Sequence, residues 1–228
     1  MSEAADTRQD VPGERSVRKR LYSLGEEIAN SVSHGVGVLL AIAALVLLIV
    51  VSVSHGGGVR LAAALIMGIS LIVEYLFSTL YHALAPEKAK AVFRVLDHCG
   101  IYLLIAGSYA PFSLITLSGR GGLELCVAVW VVAAVGIVAE CLLRERQPAW
   151  LTAAVYVLMG WLVVFRVGDL WELLPPPAFW LLLAGGLSYT VGAVFYAVKK
   201  VPYLHFVFHL FTLAGSVCIT LSALLFVV

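Results

Sequence analysis

Four small groups of polar residues interrupt a chain built mostly of Leu, Val, Ala, Ile and Gly, and each has a spacing with chemical meaning. Glu27, Asn30, Ser31 and His34 share one helical face, at offsets of 3, 4 and 7 from Glu27. Ser78 and His82 are four residues apart, as are His205 and His209, while Asp97 and His98 are neighbours. Two histidines at i and i+4 turn both imidazoles toward one point, the arrangement by which helices hold zinc. Neutral imidazole is the ligating form, and a third ligand from another element would complete the set. His82 is the best-placed candidate. Three histidines leave the fourth position of a tetrahedral ion open to water, a pattern of catalytic sites more than structural ones. The competing reading is that each histidine packs inside a helix bundle, bonded to a hydroxyl or a backbone carbonyl. A single HxxxH pair does not decide between the two.

Whether these groups can meet depends on the elements that carry them. With 61% apolar and 13% charged residues and a mean hydropathy of +0.99, the 228 residues do not have the composition of a soluble domain. A membrane crossing needs about 20 apolar residues. Apolar runs separated by Gly, Pro or charged breaks give spans near 33–54, 59–83, 93–117, 122–143, 149–167, 178–198 and 203–227. The expected fold is an all-α membrane protein, a seven-transmembrane-helix bundle. Residues 1–26 read as a short polar segment and 27–228 as the transmembrane domain. That segment is too long and polar for a signal-peptide n-region, so the first helix is expected to stay as a signal anchor.

Composition also excludes partners. A net charge of +1 with no concentrated basic face argues against nucleic acid. The run Arg15, Arg18, Lys19, Arg20 suits the headgroups of anionic membrane lipids instead. Cys99, Cys126, Cys141 and Cys218 fall inside apolar runs without a close pair, so they read as small core residues, and neither a disulfide framework nor a zinc finger is indicated. No internal repeat supports a transporter built from inverted halves.

Orientation follows from the fifteen Lys and Arg residues. Twelve fall in the N-terminal segment and the second, fourth and sixth connections, against Arg60, Arg120 and Arg166 in the others. Because the connections are short, the positive-inside rule puts the N-terminus in the cytoplasm and, after an odd number of spans, the C-terminus outside. All four polar groups then sit at a common depth near the cytoplasmic face. At 1.5 Å per residue, His205 and His209 lie roughly 7 and 13 Å along the helix from Lys200, within the hydrocarbon, where an ionisable residue needs a reason.

Other polar residues read less sharply. His98 lies about 100° from Asp97 around a helix, so it is expected to form a local hydrogen bond instead of joining the same centre. His34 points with the Glu27 face and serves either the site or helix packing. Glu74, one turn before Ser78, either lines a cavity or is a protonated, helix-bonded carboxyl. Glu140 and Arg144, four apart, are expected to form an interfacial pair. His55, in a Gly-rich loop, carries no signal.

Taken together, Glu26-Glu27-Ile28-Ala29-Asn30-Ser31-Val32-Ser33-His34-Gly35, Ser78-Thr79-Leu80-Tyr81-His82, Leu96-Asp97-His98-Cys99-Gly100-Ile101-Tyr102 running to Gly107-Ser108-Tyr109-Ala110-Pro111-Phe112, and His205-Phe206-Val207-Phe208-His209 resemble the bacterial hemolysin III family. That family is grouped with the adiponectin and progestin receptors and is similar to the alkaline ceramidases. The resemblance covers nearly the whole chain after Leu21. It implies a multi-pass protein of the bacterial inner membrane with zinc bound by His82, His205 and His209 near the cytoplasmic face. It further implies that Asp97 holds the zinc-bound water and that Ser78 stands one turn before the first ligand. The short N-terminal segment lacks the receptors' long cytoplasmic extension, which argues against receptor-style signalling.

The leading expectation is a zinc-dependent intramembrane hydrolase of a lipid amide or ester, with Asp97 taking a proton from water and Ser78 donating to the developing oxyanion. The alternative is a non-catalytic lipid or ligand sensor in which the metal is structural. A cytolytic pore, suggested by the family name, should show a polar stripe along whole helices, whereas polarity here is confined to one end. The charge distribution predicts that reporters on the two termini read opposite compartments. A C-terminal alkaline phosphatase fusion should be active, and an inactive one beside a working C-terminal cytoplasmic reporter contradicts the orientation.

Overall fold

A computed structural model of the protein describes residues 22–143, 146–198 and 201–228. The basic run Arg15 to Arg20, together with Arg144, Lys199 and Lys200, lies outside them. Among the described residues there are eight α-helices and no strand: α1 Leu24–Ser54, α2 Val59–Ala83, α3 Glu87–Pro111, α4 Gly122–Leu143, α5 Ala149–Gly160, α6 Val167–Leu173, α7 Pro176–Ala197 and α8 Leu204–Phe226. They make seven spans, because α5 and α6 form the fifth together. In a medium without water each backbone N–H and C=O must find its partner inside the segment, and a helix does this on its own.

Two spans begin earlier than apolarity alone suggests. The first starts at Leu24 because its polar first turns are held by a capping box: Ser23 Oγ accepts from the Glu26 N–H at 3.3 Å, and the Glu26 carboxylate accepts from the Ser23 N–H at 2.9 Å. The third starts at Glu87, carrying Lys90 and Arg94 into the bundle end. Polar residues that hydropathy excludes thus belong to the helices and can reach inward.

The helix α3 is the most enclosed, buried along most of its length. It packs on α2 and carries α4 on another side, while α2 also packs on α1. The last helix, α8, lies against α7 and closes the ring on α1. Close approach of α7 and α8 requires small residues: a Cβ on Gly185 would stand 3.0 Å from the Gly215 carbonyl. Buried hydroxyls of Ser52, Ser108, Ser113 and Thr212 return to carbonyls four residues back in their own helices. Leu39, Val46, Val50 and Val53 of α1 face outward, as lipid contact demands. Of the cysteines, Cys99 and Cys126 are buried as expected, Cys218 is partly buried and Cys141 is exposed, so it is not a core residue. At the end remote from the histidines, Arg120 bonds Glu172 at 2.6 Å and Arg60 reaches the Val227 carbonyl.

The fifth span is broken where sequence suggested one helix. After Gly160 the chain tightens into a 3₁₀ segment, Trp161–Arg166, before α6 resumes. This break would leave backbone groups unsatisfied in hydrocarbon, but Tyr109 of α3 answers both kinds. Its hydroxyl donates to the Gly160 carbonyl at 2.6 Å, with the Met159 carbonyl at 3.1 Å, and accepts from the Val163 N–H at 3.0 Å. Tyr109→Phe removes all three and should destabilise the protein by about 1–3 kcal/mol, the cost of leaving buried polar groups unmet. Thermal unfolding in detergent measures it, and an unchanged midpoint would mean that another group reaches the break.

Candidate metal centre

The bundle end where α1, α3 and α8 begin and α2 ends gathers all four polar groups. His82 occupies the last turn of α2, and His205 and His209 the first turns of α8. Their Nε2 atoms converge. The His82 and His205 nitrogens are 3.3 Å apart and those of His205 and His209 are 3.1 Å apart. All three donors fit within 4.8 Å of one another, with His82 and His209 buried and His205 partly so.

The far sides of two rings decide what these nitrogens carry. His82 Nδ1 is 2.7 Å from Glu27 Oε2, and His209 Nδ1 is 3.2 Å from the Asn30 carbonyl oxygen. A carboxylate and a carbonyl only accept, so each Nδ1 holds a ring proton, and in the neutral form of each ring Nε2 presents its lone pair inward. A proton on His205 Nε2 could bridge one of the short approaches but not both. A cation resolves the remainder. Three imidazole nitrogens converging from two helices could hold a metal ion, and as a donor set they fit the zinc that the motifs imply.

Asp97, in the third turn of α3, is 5% exposed and within electrostatic reach of His82, His98, Ser78 and Arg94. It is not a member of the ligating group. Ser78 is buried, and its Oγ makes no close hydrogen bond, the Asp97 carboxyl being the acceptor beside it. Glu74 lies one turn deeper against Gly100, where any Cβ would collide with its carboxylate. His34 lies against His209. Its ring stacks on His209 with centroids 3.5 Å apart and planes 11° from parallel, and neither nitrogen has a partner. Among the described residues, Asn30 Oδ1, both His34 nitrogens, Glu74 Oε2 and Ser78 Oγ are the buried side-chain atoms left unpaired. All belong to α1 and α2 around the three histidines. Orphaned groups are costly in hydrocarbon, so their clustering marks a space fitted to water or a polar ligand.

His98 stands apart, as its angle from Asp97 predicted, but its bonds run between helices. Its Nδ1 meets Glu140 Oε2 at 3.3 Å and its Nε2 meets the Tyr196 hydroxyl at 3.4 Å. Glu140 thus meets a residue of another helix. It is 2% exposed, because it continues the buried stripe Val129, Ala133, Gly136 of α4. Arg144, its expected partner, lies outside the described residues.

Sequence reasoning missed two further contributors. Tyr22 stacks on His205 with centroids 5.0 Å apart and turns its edge to His82, covering the centre from its open end. Burial pushes the Tyr22 hydroxyl up from its ordinary pKa. Glu26 accepts from the Tyr203 N–H at 2.9 Å, pinning the turn that delivers His205. The Ser23 to Glu26 spacing was the available signal for the second.

Toward the bundle interior lies a cavity of about 160 Å³ lined by Leu104, Ile105, Tyr156, Phe179 and Leu183. Tyr196 and Phe208 also line it, and their rings stand 6.1 and 5.4 Å from that of His205. These two aromatics thus border both the cavity and His205.

Fold and site together define a multi-pass membrane protein with a buried three-histidine donor set. The chain belongs to the Haemolysin-III related family, whose profile matches residues 22–220. It is 42% identical over 202 residues to Hemolysin-3 of Bacillus cereus, covering 89% of this chain and 92% of that protein. It is 40% identical over 208 residues to the Hemolysin-3 homolog of Bacillus subtilis, covering 91% and 97%. A more distant likeness, 28% over 164 residues, covers 67% of this chain and 65% of the human Monocyte to macrophage differentiation factor. No solved structure matches the chain. The family resemblance carried by the four motifs is thus borne out.

The geometry predicts about one zinc ion per chain in protein purified without chelator. His205→Ala or His209→Ala should lose most of it, and the double variant all of it, by elemental analysis. Full retention in the double variant would rule out these donors.

Proposed function

We propose that this protein is a zinc-dependent membrane hydrolase that cleaves a short lipid amide or ester at the three-histidine centre. The observation that carries the reading is the convergence of three Nε2 atoms, two of them on rings whose Nδ1 faces an acceptor, at the bundle end that also holds the buried Asp97 carboxyl and Ser78 hydroxyl. Zinc, when bound, lowers the pKa of a bound water to about 7 and polarises a carbonyl. His82, His205 and His209 are the residues that hold it.

The remaining steps fall to side chains of this chain. Asp97 accepts the proton from the attacking water as the new C–O bond forms, and returns it to the leaving nitrogen or oxygen as the old bond breaks. Ser78 Oγ, beside the Asp97 carboxyl, turns to donate to the carbonyl oxygen as negative charge grows there. The acyl portion enters the apolar cavity past Tyr196 and Phe208. At about 160 Å³ that cavity is close to the ~150 Å³ void that takes one benzene, which supports a short chain segment. The twelve-to-three bias of basic residues supports a cytoplasmic location for this end of the bundle.

Asp97→Asn tests the assignment, because it keeps the shape and removes the proton acceptor. Zinc content and the unfolding midpoint in detergent should match the wild type. Hydrolysis across a panel of short-chain lipid amides and esters should fall about 10²- to 10⁴-fold. Zinc retained with undiminished hydrolysis would reject Asp97 as the base. Zinc retained in a wild-type protein that hydrolyses nothing in the panel would favour a lipid sensor with a structural metal.

A further inference from the structure

Glu27 lies in the first turn of α1, with 15% of its side chain exposed, and both of its carboxylate oxygens are engaged. Oε1 pairs with Lys90 Nζ at 2.8 Å, and Oε2 lies 2.7 Å from His82 Nδ1. Lys90 is itself held, donating to the Tyr81 carbonyl at 3.1 Å and standing 5.1 Å over the Tyr81 ring. The carboxylate is thus fixed from one side by α3 and presented to α2 on the other.

A simple reading would make this an interhelical ion pair, of the kind that at a partly exposed site contributes little. The geometry says more. The shorter contact is spent on the imidazole, and on the nitrogen facing away from the centre. From there the carboxylate cannot ligate the ion that the ring would hold, but it can dictate which ring nitrogen carries the proton. Asn30 makes the point sharper. Its Nδ2 lies 3.4 Å from the same His82 Nδ1, and a donor there would favour the opposite tautomer, with the proton pointing into the centre. The charged acceptor at 2.7 Å is the closer and stronger partner and wins that competition. For His209 the backbone carbonyl of Asn30 does the same work, and Ser33 Oγ stands at 3.2 Å from the same nitrogen.

We propose that Glu27 is the positioning residue of the metal centre: through Nδ1 it locks the orientation and tautomer of His82 so that Nε2 offers a bare lone pair to the ion. The first two turns of α1, which supply no ligand, thereby orient ligands on both α2 and α8. This inference rests on the metal reading of the three histidines. Partners that orient a ligating histidine are worth about 10- to 100-fold in metal affinity.

The experiment titrates metal-free protein in detergent with Zn²⁺ against a competing chelator, for wild type, Glu27→Ala, Glu27→Gln and Lys90→Met, and records the unfolding midpoint of each in the metal-free state. Glu27→Ala should bind Zn²⁺ about 10- to 100-fold more weakly. Glu27→Gln, which retains a neutral acceptor, should fall between it and wild type. Lys90→Met breaks the ion pair but leaves the imidazole contact, so its affinity should stay near wild type while its metal-free midpoint matches that of Glu27→Ala. Equal losses of affinity in Lys90→Met and Glu27→Ala would reduce Glu27 to a structural clamp and overturn the proposal. So would wild-type affinity in Glu27→Ala. A wild type that takes up no Zn²⁺ would instead overturn the three-histidine reading itself.

Discussion

Everything in this molecule follows from placing polar groups where no water can answer them. Helices satisfy the backbone, and serine and threonine hydroxyls return to carbonyls in the preceding turn. Where a helix must break, at Gly160, the Tyr109 hydroxyl takes over the bonds that the break releases. The exceptions concentrate at one end of the bundle, where imidazole nitrogens, a serine hydroxyl and a glutamate oxygen go unpaired. Among the described residues the unpaired buried atoms lie on α1 and α2, the helices that also carry His82 and the acceptors facing His82 and His209.

The architecture serves that end. Helices α2 and α8 supply the histidines, α3 supplies Asp97 in the most enclosed part of the bundle, and α1 supplies the acceptors that orient the rings. The Glu26 contact to the turn before α8 ties the start of the first helix to the start of the last. Chemistry and packing share residues: Tyr196 reaches His98 with its hydroxyl while its ring borders both the cavity and His205.

Much of this was legible in the chain. Period and length gave seven spans, since runs of about 20 apolar residues have few other uses. The i, i+4 histidines on the last span and His82 on the second met as their depth implied. Less visible were features that depend on which neighbour a helix face meets. Hydropathy could not tell that α1 begins at Leu24, because a capping box and inward-facing partners offset its polar turns. Local spacing said nothing of the contact between Glu140, on the buried stripe of α4, and His98 of α3. The 3₁₀ interruption of the fifth span has only Gly160 to announce it, and its support comes from Tyr109, on another helix.

The order in which the parts of the centre emerge during synthesis has its own meaning. Glu27 and Asn30 come early, His82 follows, and His205 and His209 belong to the last helix of all. A chain released before α8 has its orienting acceptors and one imidazole but no pair to meet them. The three imidazoles that could hold an ion therefore meet only after insertion is complete, once the last helix has closed the ring against the second.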